Sequence, residues 1–449
     1  MKPSIKSGVL LAQIKEWLYL LSGLSEAFIV AKEPSSMAKY PKTVFILGTN
    51  RNIGKSVTSI GIICKLLSEG MGYTTDEIGY IKPVGQETLT VVDGRGVSIE
   101  ADKDAVLITS LMGIECPGYE KISPVVWQSG VTADFIDEAG QGDPVGGRQA
   151  FLDRIRDAYE HVSQNKRIVI VEGTGQPGVG SVAGISNADV INLLREMGAP
   201  VYAVMVASGG IGSTIDQIFP YLMSAEHMGT RIDGIVINSV FGSKIDKIQH
   251  YIETYYDKVF PPIYGKYIHD SAPPPILGFV PAVPELGLPT MRLIAEYFGT
   301  RPAAAMEIIA PQDFDNGACR LVRDLKVLSL DFGYESLLRP GDAVIIGVNA
   351  NDAILAMLLL HERMVRRQGS GLAGMILSCK QVGGLASQIR DLIERGDLPT
   401  ITLDYDSADI VARIESMTIK IQPYDVGKKE LIAKAFDKSL NLWPDLNGA

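Results

Sequence analysis

Residues 48–56 read GTNRNIGKS, and these types at this spacing can hold a phosphate. Gly54 lets the backbone come close to an anion, and the first amides of a following helix face it with the positive end of the helix dipole. Lys55 can neutralise β- and γ-phosphates, and the Ser56 hydroxyl can ligate a magnesium ion. Five residues separate Gly48 from Gly54, one more than in the usual phosphate loop. A Gly-Lys-Ser tripeptide is common by chance, so its context matters. The apolar run TVFIL at 43–47 precedes it, and apolar residues at helical spacing follow over 57–67. An ordinary glycine turn with an exposed lysine does not explain why Asn50, Asn52, Gly54, Lys55 and Ser56 gather at a strand end.

A magnesium ion held by one hydroxyl needs carboxylate help. Glu172 closes the apolar run RIVIV (167–171) and opens EGTGQPGVGS, a loop carrying Gly173, Gly175, Gly178 and Gly180. A carboxylate at the C-terminal end of a parallel strand lies at the ligand-binding edge of the sheet. Asp104, in ADKDA (101–105) before a helical segment, is the second candidate ligand, and Asp102 competes with it. Each of these acids has an ordinary alternative as a helix N-cap or a solvated loop residue. Lys82 ends IGYIK (78–82), and Pro83 forces an extended exit that holds the lysine at the same edge. Alone it reads as a surface lysine at a strand end. Paired with Lys55, it can stabilise charge on a transferring phosphoryl group or on a bound carboxylate. SGGIGS (208–213) fits a loop entering a helix, but it lacks the third glycine and later acid of a dinucleotide fingerprint. Asn238, in INS at a strand end, is either a turn residue or an amide able to read a purine edge. His161, His227, His250, His269 and His361 sit beside no Ser or Cys nucleophile and read as surface or packing histidines.

These positions need a scaffold that brings them to one edge. Short apolar strands at 43–47, 78–82, 167–171, 201–206, 232–240 and 275–280 alternate with helical periodicity at 57–67, 188–197 and 214–228. Nearly all-apolar strands in that alternation predict an α/β fold, a doubly wound and mostly parallel sheet covered on both faces. This first domain spans 41–300, with TRPAAA (300–305) as a boundary. A second, smaller α/β domain follows over 306–424, with strands at 342–348, 372–379 and 400–404 and helices at 352–363, 382–395 and 408–417. A closing helix at 428–440 lies within a C-terminal segment over 425–449.

The whole chain has 449 residues, 46% hydrophobic and 21% charged, which is ordinary globular composition and excludes a largely disordered chain. Its 42 Lys plus Arg against 52 Asp plus Glu give a net charge of −10, which argues against a nucleic-acid footprint. The four cysteines are scattered without a CxxC pair, so a reducing cytoplasm is the simplest home and neither a zinc site nor a disulfide framework is expected. Residues 1–40 read as a helical extension, with Ile14, Trp17, Leu18 and Leu21 on one face. Gln13, Lys15, Glu16 and Glu26 interrupt its apolar run, so it is not expected to span a membrane; it is expected to dock on the body or on a second subunit, with a membrane-surface helix as the lesser alternative because its polar residues are not strongly basic. The tyrosine-rich stretch 251–264 reads as a helix followed by a packed loop.

Taken in order, GTNRNIGKS, IKPV, ADKDA, VEGTG, INS and PILGFVP resemble the dethiobiotin synthetase fold over roughly 43–298. The same stretch is similar to the amino-terminal domain of long phosphotransacetylases and to the ATPase half of cobyrinic acid a,c-diamide synthases. LRPGDAVIIGVNANDAILAMLLL, LAGMILSC and TLDYDSAD resemble a degenerate DRTGG domain, whose eponymous residues fall at Gly347, Val348, Asn349, Ala350, Asn351 and Asp352. The resemblance implies ATP bound by Asn52, Ile53, Gly54, Lys55, Ser56 and Val57, with the Glu172, Gly173 and Gly175 loop beside it. It implies Mg²⁺ near Ser56, Asp104 and Glu172. It implies base contact from Asn238 and from Pro281, Ala282 and Val283. Lys82 matches a lysine that, in that family, assists phosphorylation of a carbamate which then closes to a cyclic urea. Gly85, Gln86 and Glu87 replace the family's small hydroxyl-bearing substrate loop, so its diamine contacts do not transfer. No segment of these 449 residues resembles an acetyltransferase domain, so acetyl transfer to phosphate is not expected, and no nucleophile-elbow cysteine supports glutamine-dependent amidation in cis. Related ATPase domains build sites across a dimer, which makes a homodimer the expected assembly.

Two functions follow. One is ATP-dependent activation of a carboxylate or carbamate on a small-molecule substrate, with Lys55 and Lys82 as the catalytic cations. The other is a nucleotide-responsive regulatory or assembly protein, suggested by the altered substrate loop and by a second domain without a catalytic cluster.

Overall fold

A computed structural model describes residues 39–92, 96–128, 130–309, 314–328, 336–380 and 384–446. The expected helix over the first 40 residues lies outside the described residues. In chain order the first part contributes β1 (Lys42–Gly48), β2 (Ile78–Ile81), the two-residue β3 (Val84–Gly85), the hairpin β4 (Thr88–Val92) and β5 (Ser98–Asp102), and the two-residue β6 (Val125–Val126). Then come β7 (Ile168–Glu172), β8 (Val201–Ser208), β9 (Gly234–Val240) and β10 (Ile276–Pro281). Six of these form one parallel sheet in the order β10-β9-β8-β1-β7-β2.

The apolar strands dictate this arrangement. β1 is KTVFILG and is buried along nearly its whole length, as is IVIVE in β7, so both sheet faces must be covered. β2 and β7 lie on one side of β1 and β8, β9 and β10 on the other, so the strand order reverses at β1, which puts the crevice of the sheet at the C-terminal ends of β1, β7 and β8. Register then aligns the chemistry: Ile46 of β1 pairs with Glu172, and Gly48 pairs with Val206.

A second sheet holds β11 (Glu307–Ile308), β12 (Asp324–Val327), β13 (Asp342–Gly347), β14 (Gly374–Ser378) and β15 (Thr400–Thr402), in the order β11-β15-β14-β13-β12. Only β11 runs antiparallel to its neighbour. Side chains alternate between two cores, as the strand period requires. Val344 and Ile346 meet the helices Asn351–Gln368 and Ser387–Arg395, while Ala343 and Ile345 meet the helices Met291–Gly299 and Ser407–Glu415. The helix Met291–Gly299, grouped by sequence with the first block, therefore packs with the second sheet.

The closing helix Val426–Asp437 belongs to the first core. Ile432 and Phe436 are fully buried against the first sheet's layer. The Phe436 ring lies where a side chain at Gly61 would project, 2.3 Å from its missing Cβ. Beyond it, Leu440 bridges Gly278 at the sheet edge, Asn441 donates its amide to Leu277 O at 2.8 Å, and Tyr73 donates to Leu446 O at 2.9 Å. The second sheet is thus threaded between β10 and the segment that completes the first core. Among the described residues, no helix is long and apolar enough to cross a membrane.

Candidate functional site

The loop 49–54 leaves β1 and enters the helix Lys55–Leu66 at Gly54, which adopts φ 88° and offers no side-chain cap. The first amides of the helix are therefore left for an outside acceptor, an arrangement suited to an anion. Asn238, at the end of β9, donates its amide Nδ2 to Ile53 O at 3.1 Å from a buried position. A Cβ on Gly54 would lie 2.1 Å from that nitrogen. Here the amide offered to base contact braces the loop. Gly54→Ala is expected to cost about 2 kcal/mol or more, combining left-handed strain with loss of the brace. Denaturant unfolding measures it; a Gly54→Ala midpoint equal to wild type removes the brace from the account.

Glu172 is fully buried at the end of β7 and gathers four donors. Ser56 Oγ reaches Oε1 at 3.0 Å, Ser59 Oγ reaches Oε2 at 2.7 Å, and Tyr80 donates to Oε2 at 3.2 Å. The Lys82 ammonium lies 3.5 Å from Oε1. Ser59 and Tyr80 were not singled out from sequence. Their signal was periodicity: Ser59 sits one helical turn after Ser56, and Tyr80 shares a strand face with Lys82.

Lys82 also pairs with Asp102 Oδ1 at 3.2 Å and with Asp104 Oδ2. Burial opposes its charge, but Glu172, Asp104 and Asp102 together hold the ammonium well above the usual lysine range. Burial also pushes the Asp104 carboxyl up, yet Lys82 outweighs it and leaves the group below the ordinary range. The two aspartates differ in role. Asp102 caps the helix Lys103–Met112 by accepting from Asp104 N at 2.9 Å, and its other oxygen accepts from Gln86 N at 2.9 Å. Asp104 has a side chain 24% exposed against 1% for Asp102, so only Asp104 opens toward the crevice.

Lys55 is buried and makes no ion pair among the described residues. Burial pushes its ammonium down, offset in part by Glu172 and reinforced by Lys82. Gly173 has no room for a side chain, because a Cβ would meet Asn187 Oδ1 at 2.6 Å and Phe45 Cε1 at 2.8 Å. Asn187 in turn accepts from Thr174 N at 2.9 Å, fixing the loop that follows Glu172. Gly175 faces Lys55 across the crevice, its would-be Cβ 3.7 Å from the ammonium. Pro281, Ala282 and Val283 are half-buried one strand beyond Asn238, with Ala282 N donating to Val240 O at 2.8 Å. Ile53, Val57 and the other loop residues thus share one sheet edge with Glu172, Lys82 and Asp104.

The stretch between β3 and β7 separates Glu87 from Glu172. It holds the β4–β5 hairpin and the helices Val131–Gln141 and Pro144–Val162. The Gln86–Glu87 turn is clasped from outside: Glu87 pairs with Lys103 and, at 3.1 Å, with Lys420 from the segment leaving the second sheet.

A family model described as an AAA domain matches residues 42–290, more than half of the chain. The chain belongs to this AAA domain family. The AAA domain carries every strand of the first sheet and all of the site residues above. The chain is similar to the ATP-dependent dethiobiotin synthetase of Clostridium kluyveri, 28% identical over 200 residues, which are 44% of this chain and 74% of that protein. It is also similar to the probable cobyric acid synthase of Methanothermobacter thermautotrophicus, 24% identical over 242 residues, 51% of this chain and 45% of that protein. The match thus spans less than half of the latter's length. Among solved structures, the signal recognition particle receptor FtsY from Elizabethkingia anophelis in complex with GDP matches at 13% identity and a TM-score of 0.29, over 54% of this chain and 57% of that chain. A score that low carries no argument here; the fold stands on the strand order itself.

Proposed function

We propose that the AAA domain binds Mg-ATP and uses it to activate a carboxylate or carbamate of a small molecule, in ligase-type chemistry. The observation that carries this reading is the convergence of an uncapped helix start, Lys55 and the Glu172–Lys82–Asp104 cluster on one crevice. The likeness to an ATP-dependent dethiobiotin synthetase supports it.

The side chains present fit a magnesium ion. Ser56, Glu172 and Asp104 offer only oxygen donors, the hard set magnesium prefers, and three carboxylates surround the single Lys82 ammonium. Among the described residues no three His, Cys, Asp or Glu side chains converge as a complete cage. When bound, the ion would screen the β- and γ-phosphate charge.

The chain's own residues do the rest. Amides after Gly54 hold the phosphates, and Lys55 neutralises the oxygens that accumulate charge. Lys82, kept protonated by its neighbours, orients the acceptor carboxylate and offers its charge to the phosphoryl group. Asn238 fixes the loop, while Pro281, Ala282 and Val283 border the base. A DRTGG-like second unit, with 347–352 at the end of β13, would add regulation to the same chemistry: its exit segment already touches Glu87. A homodimer remains part of this proposal, resting on the resemblance alone.

Lys55→Ala tests the reading. Calorimetric titration with Mg-ATP is expected to show binding by the wild-type chain and at least about a 100-fold weaker affinity in the variant, the scale of a lost charged phosphate contact. Equal binding by both proteins overturns the nucleotide site.

A further inference from the structure

We propose that Arg51 is a catalytic cation of this site, placing its guanidinium on the phosphoryl group in flight; this deepens the reading above and rests on it. Arg51 stands in the loop between β1 and the helix Lys55–Leu66, and Asn52 turns the chain immediately after it with φ 56°. Its backbone N–H is tied to Asn50 Oδ1 at 2.7 Å. The stem of Arg51 runs across the open face of Gly175, its Cγ 3.3 Å from the point a Cβ would occupy. The Lys55 ammonium and Gln86 Oε1 each lie 3.7 Å from the same point. Three polar side chains, Arg51 from the loop after β1, Lys55 from the helix start that follows it and Gln86 from the turn after β3, therefore look over one small clearing above the Glu172 loop, and the glycine keeps it clear.

The neighbouring cations differ in their commitments. Lys82 has three carboxylate partners, and Lys103 is held by Glu87. Arg51 is exposed and forms no ion pair among the described residues. A guanidinium presents a planar fork of donors that matches phosphoryl oxygens, and it stays charged at any working pH. In the step itself, an acceptor carboxylate or carbamate oxygen forms a bond to the γ-phosphorus. The bond from that phosphorus to the β–γ bridging oxygen breaks, and its electron pair leaves with ADP. No proton moves. Charge is spread over the three equatorial oxygens of the moving group, and Arg51 reaches them from its place over Gly175. A merely surface arginine would leave this step untouched.

The test needs no acceptor. Mg-ADP with aluminium fluoride is the probe for the moving phosphoryl group, titrated into the full chain beside Mg-ADP alone. Wild type is expected to bind the fluoride complex more tightly than ADP. Arg51→Ala is expected to keep ADP affinity within about twofold and to lose at least about tenfold of that tightening, with Arg51→Lys regaining part of it. Equal tightening in Arg51→Ala and wild type, or none in wild type, overturns the role of Arg51 while leaving nucleotide binding intact. Absence of ADP binding by wild type overturns both readings together.

Discussion

Glu172→Ala is expected to abolish more than any other single truncation in the site: about 3–5 kcal/mol of folding free energy and at least about 100-fold in ATP turnover. The carboxylate is fully buried and receives Ser56, Ser59, Tyr80 and Lys82. Removing it leaves three hydroxyl donors without this acceptor and the ammonium short of one of its three carboxylates at a buried position, and an unpaired buried polar group carries its full desolvation penalty. Catalysis suffers separately, because the negative charge that balances Lys55 and Lys82 and anchors Ser56 is gone. Glu172→Gln separates the two effects. It keeps an acceptor oxygen for the hydroxyls but not the charge, so it is expected to recover much of the stability and little of the turnover. Urea unfolding and steady-state ADP release measure the pair. Retention of wild-type turnover by Glu172→Ala is the outcome that removes this carboxylate from the mechanism.

Phe436→Ala is expected to destabilise the first core by about 3–5 kcal/mol, the usual cost of deleting a buried ring. The ring is fully buried and seats over Gly61, on the helix that begins with Lys55. The cavity opens beneath the helix that presents the phosphate loop, so the variant loosens the site without touching it. Its unfolding midpoint should fall, and saturating Mg-ATP should raise that midpoint again by mass action. Gly61→Val approaches the same contact from the other side, since a Cβ would stand 2.3 Å from the ring. A Phe436→Ala midpoint within error of wild type contradicts the packing described above.

The parts of the fold that were legible in the chain are those with local signatures. TVFIL, RIVIV and VYAVMV are continuous apolar runs, and only a two-sided parallel sheet buries such runs. Glu172 and Lys82 were legible because each ends a strand, and strand ends of such a sheet share one edge. The β4–β5 hairpin was not legible: half of its residues are exposed and only the last two are buried, so TLTVV and SIEAD carry no strong burial pattern. That Asp102 caps a helix while Asp104 is the more exposed of the two follows from the cap geometry, which two acids two residues apart do not declare. The placement of Phe436 over Gly61 was invisible for a different reason. Helical periodicity shows that a face is apolar but not which distant surface covers it.

The threading of the second sheet has a consequence for how the molecule is made. A ribosome releases β1 through β10 long before it releases Phe436, Leu440 and Leu446, and these last residues close the core that the first strands begin. The AAA domain therefore emerges early and waits, incomplete, while everything up to the closing helix is translated. Its maturation is timed by the arrival of that helix, and a nascent chain stalled before it leaves an unfinished hydrophobic surface for chaperones or proteases to meet.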